Sequence, residues 1–140
     1  MNLDHCNSHS SFKDKVSMSN LCQEITLPTT PIQHIDDGEG EIALCILSAV
    51  NVGALNDLAE LENICDLSVR ALEQIIDYQD YPVKAAEVST KKRRSLGIGY
   101  IGLAHYLAKN GVKYSDPEAW ALVDRLTEAF QYHLLRASCD

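Results

Sequence analysis

The pattern of apolar and polar positions changes period along the chain. Residues 1–19 are polar and irregular, rich in Ser, Asn, His and Lys, and predict a loop. Residues 20–27 (Asn-Leu-Cys-Gln-Glu-Ile-Thr-Leu) alternate and predict a short strand or extended finger, stopped by Pro28 and Pro31. Asp36-Asp37-Gly38-Glu39-Gly40 predicts a turn. Glu41 to Val52 is almost continuously apolar, the mark of a strand covered on both faces. After residue 55 the period becomes helical. Asp57 and Glu60 have the spacing of a capping box, and Leu58, Leu61, Cys65, Val69, Leu72 and Ile76 share one helical face. This helix is expected to run to Tyr78 and stop before Pro82. A second is predicted over 96–110, with Gly111 as its stop. A third opens at Asp116-Pro117 and carries Trp120, Val123, Leu126, Phe130 and Leu134.

Composition sets the class. A length of 140 residues with 46% apolar and 23% charged side chains fits one globular domain with a real core, not a disordered or collagen-like chain. The longest apolar run, Ile42 to Leu47, falls far short of the ~20 residues that span a bilayer, so no membrane partner is expected. No basic-then-apolar leader follows Met1, which predicts a cytoplasmic protein. A net charge of −8 disfavours nucleic acid as a partner. Asp140 ends the chain inside a helical pattern without a cap, and the expectation is a cut within a longer protein.

Charge is divided unevenly. Residues 1–90 hold 15 acids and 4 bases, and residues 91–140 hold 5 acids and 8 bases. Lys91-Lys92-Arg93-Arg94 marks the change. Two readings stand: a solvated turn before a helix, or an anchor for the acidic half, internal or facing a partner.

Five cysteines, Cys6, Cys22, Cys45, Cys65 and Cys139, without a Cys-x-x-Cys pair, favour free thiols in a reducing compartment. Cys65 sits on the helical apolar face and is expected to act as a small hydrophobe.

Four groups invite chemistry. Gly97-Ile98-Gly99-Tyr100-Ile101-Gly102 matches a dinucleotide fingerprint, but the basic run stands where a strand should precede it. Glycines for close helix packing are the preferred explanation. His5, Cys6 and His9 form a three-member corner, one ligand short of a structural zinc site, and no metal is expected. In an extended finger Asn20, Cys22 and Glu24 project from one face. An amide, a thiol and a carboxylate there can hold a hydroxyl-rich substrate, attack it and move a proton. The alternative is a polar edge strand with a stray cysteine. Cys45 lies in the predicted buried strand, where a thiol is usually packing.

The segment Ser19-Asn20-Leu21-Cys22-x-Glu24-Ile25 resembles the active-site finger of the class I ribonucleotide reductase large subunit. Asp4-His5-Cys6-Asn7 with His9 resembles the stretch before that finger, and Gly40 to Cys45 with Ser48-Ala49 and Asn51 the strand after it. Asp77-Tyr78-Gln79-Asp80-Tyr81-Pro82, Arg93-Arg94-x-Leu96-Gly97-Ile98-Gly99, Tyr106 to Lys109 and Tyr114-Ser115-Asp116 continue in family order.

The resemblance implies an α/β fold: a fragment of the family's ten-stranded α/β barrel, mainly helical after residue 55. It implies reduction of ribonucleoside diphosphates to deoxyribonucleotides by a thiyl-radical mechanism. Cys22 matches the radical cysteine, Glu24 the base at the 3′-hydroxyl, and Asn20 the amide on the sugar hydroxyls. Cys45 matches one of two cysteines that reduce the ribose and end as a disulfide. The implied partners are the remaining large-subunit segments, a small radical-generating subunit that holds the metal, the ribonucleoside diphosphate, and thioredoxin or glutaredoxin. This segment is expected to bind no cofactor itself, and ATP and dNTP effectors belong to the full subunit. The second reducing cysteine, the tandem tyrosines and the terminal cysteine pair of the family find no match here, so the chain is expected to need partner segments, as a truncated sequence or a split-gene product. The rival from another class is a non-catalytic remnant acting as a helical protein-interaction module. A cobalamin-dependent reductase is a further rival, with a different flank around the cysteine.

Overall fold

The computed structural model describes Val16, residues 19–20, residues 22–23 and residues 26–140. Its elements are strand β1 (Ile46–Asn51), a 3-10 turn (Val52–Ala54), α1 (Glu60–Tyr78), α2 (Lys84–Arg93), β2 (Leu96–Ile101), α3 (Leu103–Lys109) and α4 (Pro117–Cys139). The chain therefore mixes strand and helix, as an α/β fold requires. β1 and β2 form a two-stranded sheet. They run parallel: Ile46 N–H donates to Ser95 O at one end, and at the other Gly102 lies against Asn51 and Gly53. The connection between them passes through α1 and α2, as parallel strands demand.

Two compact units divide the chain. One comprises Met1–Ile46 and Ile75–Ser95, the other Leu47–Gln74 and Leu96–Asp140. The second unit holds the main apolar core. Val52, Leu61, Cys65, Leu107, Leu126 and Phe130 meet there, all but Phe130 at most 1% exposed. Each such aliphatic side chain contributes about 1.5–3 kcal/mol by leaving water.

α1 begins and ends as its sequence predicts. Glu60 Oε1 accepts from the Asn56 and Asp57 N–H groups at 3.0 and 3.1 Å, and Asp57 Oδ1 accepts from Ala59 N–H at 2.9 Å. Orphan amides at the helix start are thereby satisfied. Leu61, Cys65, Leu72 and Ile76 are buried along the predicted face. Burial raises the Cys65 thiol pKa, and its Sγ lies 4.0 Å from Phe130 O, so this cysteine is packing. α4 opens at Asp116-Pro117 as expected, although the Asp116 carboxylate turns back to Lys113 N–H at 2.8 Å.

Two expectations need correction, and two further features lie outside the sequence reading. The predicted helix over 96–110 is a strand followed by a short helix. Leu96, Ile98 and Tyr100 alternate with Gly97 and Gly99, a period of two, and β1 supplies the backbone partner. Gly97 and Gly99 thus lie inside a strand, not between packed helices and not after a strand as in a phosphate loop. The predicted strand over 41–52 shortens to Ile46–Asn51, with alternating exposure. Its earlier residues are tied elsewhere: Glu41 pairs with Thr30, and Ile42 N–H donates to Ala85 O at 3.2 Å. α2 was not foreseen, because its buried face is Ala85, Ala86, Ser89 and Thr90, which carries no large apolar residue. Trp120 is 72% exposed, and Ala119 takes the core position beside it.

Candidate functional site

The finger begins as a tight turn. Gln23 N–H donates to Asn20 O at 3.0 Å, and Gln23 has φ 61°. Asn20 and Gln23 are therefore joined by a turn, and the alternation that would put Asn20 and Cys22 on one face does not apply there. The cause is local: the Gln23 amide closes back on Asn20 rather than onto a neighbouring strand. Cys22 is exposed on this turn with a free thiol. Asn20 is half-buried, with its side-chain oxygen 3.4 Å from Ser19 Oγ. Glu24 lies outside the described residues, as do Asp4, His5, Cys6, Asn7 and His9.

A cavity of about 560 Å³ adjoins the turn. Ser19 and Asn20 line it together with Thr29, Thr30, Glu41 and Ala43. The structure thus brings Asn20 to the same space as the segment leading to Cys45. Cys45 is half-buried one residue before β1, with Sγ 4.0 Å from Ile46 O. It stands just ahead of the strand, not within it.

The loop between finger and strand is closed by one aspartate. Asp37 is 7% exposed, and its carboxylate accepts from Gln33 N–H at 2.8 Å, Glu39 N–H at 2.7 Å and Gly40 N–H at 3.3 Å. Those amides, Gln33 first, hold its pKa below the usual value. Past the loop, Glu41 and Thr30 exchange both backbone hydrogen bonds at 3.0 Å.

The basic run turns out to be an anchor inside the chain. It forms the last turn of α2 and its left-handed cap, Arg94 (φ 48°), whose N–H donates to Thr90 O at 2.7 Å. Lys91 pairs with Glu87 at 2.9 Å, and Arg94 forks onto Asp77 at 2.8 and 3.1 Å. Lys92 and Arg93 both reach Glu41, Arg93 at 2.6 Å. The Lys92 hydrogen bond, and then the Arg93 one, hold the Glu41 carboxyl below its ordinary range against a burial that opposes them. Lys91 and Lys92 stay largely solvated, at 42% and 58% exposed, but the run closes α2 and leads into β2 instead of forming a turn before a helix, and each of its four cations has an acidic partner. The signal in the sequence was the spacing Lys84, Glu87, Lys91, whose side chains pair at i+3 and i+4 on one helix face. Nothing local in the sequence marked Glu41 as the partner of Arg93.

Comparison with known proteins adds a further finding. A family model described as ribonucleotide reductase, barrel domain, matches residues 1–140. The ribonucleoside-diphosphate reductase subunit alpha of Haemophilus influenzae is 59% identical over 142 residues, covering 99% of this chain and 19% of that protein. The subunit alpha of Buchnera aphidicola from Schizaphis graminum is 57% identical over 141 residues, covering 99% of this chain and 18% of that protein. The reductase 1 subunit alpha of Escherichia coli K12 is 54% identical over 140 residues, covering 98% and 18%. The chain spans less than a fifth of the length of these relatives.

Proposed function

We propose, from the premise that this chain belongs to the ribonucleotide reductase barrel-domain family, that it supplies part of the active site of a ribonucleoside-diphosphate reductase α subunit. The observation that carries this reading is the match along the whole chain to proteins named for that activity. Its place is a fragment of the family's ten-stranded barrel, completed by other α-subunit segments.

In this reading Cys22, as a thiyl radical, takes the 3′-hydrogen of the ribonucleotide and becomes a thiol. Glu24 accepts the 3′-hydroxyl proton, and Asn20 holds the sugar hydroxyls. The 2′-oxygen then leaves as water. Two electrons and two protons come from two thiols, Cys45 and one from another segment, which join as a disulfide. Cys22 returns a hydrogen to C3′ and is again a radical. The sum is one ribonucleotide and two thiols going to one deoxyribonucleotide, one disulfide and one water. Closing the disulfide requires Cα atoms within about 7 Å. A small metal-holding subunit starts the radical, and thioredoxin or glutaredoxin reduces the disulfide.

The position of Asn20 supports the reading. It borders a cavity of about 560 Å³, inside the range of roughly 300–1,000 Å³ usual for small-molecule sites. The test assembles the chain with the other α-subunit segments and a small subunit, and follows deoxycytidine diphosphate formed from CDP. Cys22→Ser is expected to abolish product, and Cys45→Ser to stop repeated turnover. Full activity in Cys22→Ser would sink the mechanism.

A further inference from the structure

The segment leading to Cys45 is tied down at one residue, Glu41. Glu41 is 8% exposed and is held in three ways. Its backbone exchanges two hydrogen bonds with Thr30, which closes the loop after the finger. Its carboxylate takes Lys92 and Arg93 from the end of α2. Its neighbour Ile42 donates to Ala85 O in the first turn of α2. The Arg93 and Glu41 side chains are only 14% and 9% exposed. A charge pair so enclosed is costly to break from one side, because the partner stays buried without its counter-charge. Arg93 is itself held in place, since the next residue, Arg94, forks onto Asp77. Glu41 also faces the cavity that Asn20 borders. Only three residues lie between Glu41 and Cys45, too few for the thiol's position to vary independently of it.

We infer that Glu41 is a positioning residue: clamped by Arg93 and Lys92 and paired with Thr30, it fixes the reducing cysteine, Cys45, relative to the turn that carries Asn20 and Cys22. The inference rests on the proposed reductase reading. The role assigned to Glu41 is exercised through the position of Cys45. Its effect falls on the chemical step, which tolerates little misplacement, more than on binding.

The test uses the complete α subunit containing this segment, with its small subunit, well below the unfolding temperature of each variant. Glu41→Gln is expected to lower kcat about 10–100-fold, with KM for CDP within about 3-fold of the parent. Arg93→Lys, which keeps the charge but not the Nη2 hydrogen bond to Glu41 Oε2, is expected to fall between parent and Glu41→Gln. Lys92→Met, which leaves the Arg93 contact, is expected to cost about 3–10-fold in kcat. If Glu41→Gln does not fold, Arg93→Lys and Lys92→Met decide. Lowered melting temperatures with unchanged kcat per folded enzyme would overturn the inference, since the clamp would then be merely structural. Cys22→Ser separates the two failures. If it is inactive while the clamp variants keep parental kcat, the inference fails and the reductase reading stands. If Cys22→Ser keeps activity, or the assembled parent makes no product, the reductase reading fails and takes the inference with it.

Discussion

Replacing Gly102 by alanine should destabilise the fold strongly, whereas the same change at Gly99 should not. Gly102 has φ +79° and precedes α3. An alanine there enters the left-handed region, at about 1–2 kcal/mol. Its Cβ would stand 3.0 Å from the Gly53 backbone nitrogen and far inside contact distance of Asn51 Oδ1. The Asn51 side chain must turn away, and the 3-10 turn must shift, which adds about 1–2 kcal/mol. The total is about 2–4 kcal/mol. A Cβ on Gly99 meets nothing within 4 Å, and Gly99 lies in β2. Alanine there restricts the unfolded chain and is expected to be neutral or to stabilise by up to about 1 kcal/mol. The assay is urea unfolding of both variants, followed by circular dichroism. With a slope near 2 kcal/mol per molar, Gly102→Ala should lower the midpoint by about 1–2 M. A midpoint for Gly102→Ala at or above that of Gly99→Ala would refute the reasoning.

Other outcomes follow from the core and the ion pairs. Leu126 is fully buried, so Leu126→Ala should lose about 3–5 kcal/mol in the same unfolding assay. Lys109 Nζ donates to Leu55 O at 2.6 Å and holds the turn after β1; Lys109→Met should cost about 1–2 kcal/mol, read as a lower urea midpoint. The Glu41 carboxyl sits below its ordinary value of 4.5, Lys92 being the main cause. Its stabilisation is therefore complete above that pH and lost as pH falls through the lower folded value. Glu41→Gln should remove part of the acid decline in melting temperature below pH 4.5; an unchanged decline would show that the clamp does not titrate as described. Glu87, between Lys84 and Lys91, falls to about 2, so Glu87→Gln should flatten the same limb between the ordinary value and that one.

Local patterns were legible where the deciding interactions are local. The α1 cap depends on Asp57 and Glu60, three residues apart, and formed as read. The apolar face from Leu61 to Ile76 and the Asp116-Pro117 start were legible for the same reason. β2 is not legible locally, because Leu96 to Ile101 is short and glycine-rich, and only a neighbour fifty residues away makes it a strand. The alternation after Asn20 predicts extension, but the Gln23 amide closes onto Asn20 O and makes a turn instead.

The motif around Cys22 and the spacing to Cys45 were written in the sequence, and they pointed to the family that the whole-chain match established. Residue identity and spacing carry that information directly. The sequence also determined the helix starts and the buried stripe, since those arise from neighbours within one or two turns. Tertiary structure decided where the charges go. Glu41 meets Arg93 across 52 positions, and Gly102 must be glycine because Asn51 and Gly53 stand against it. Such contacts are made by chain segments folded together from afar, and no window along the sequence contains both partners.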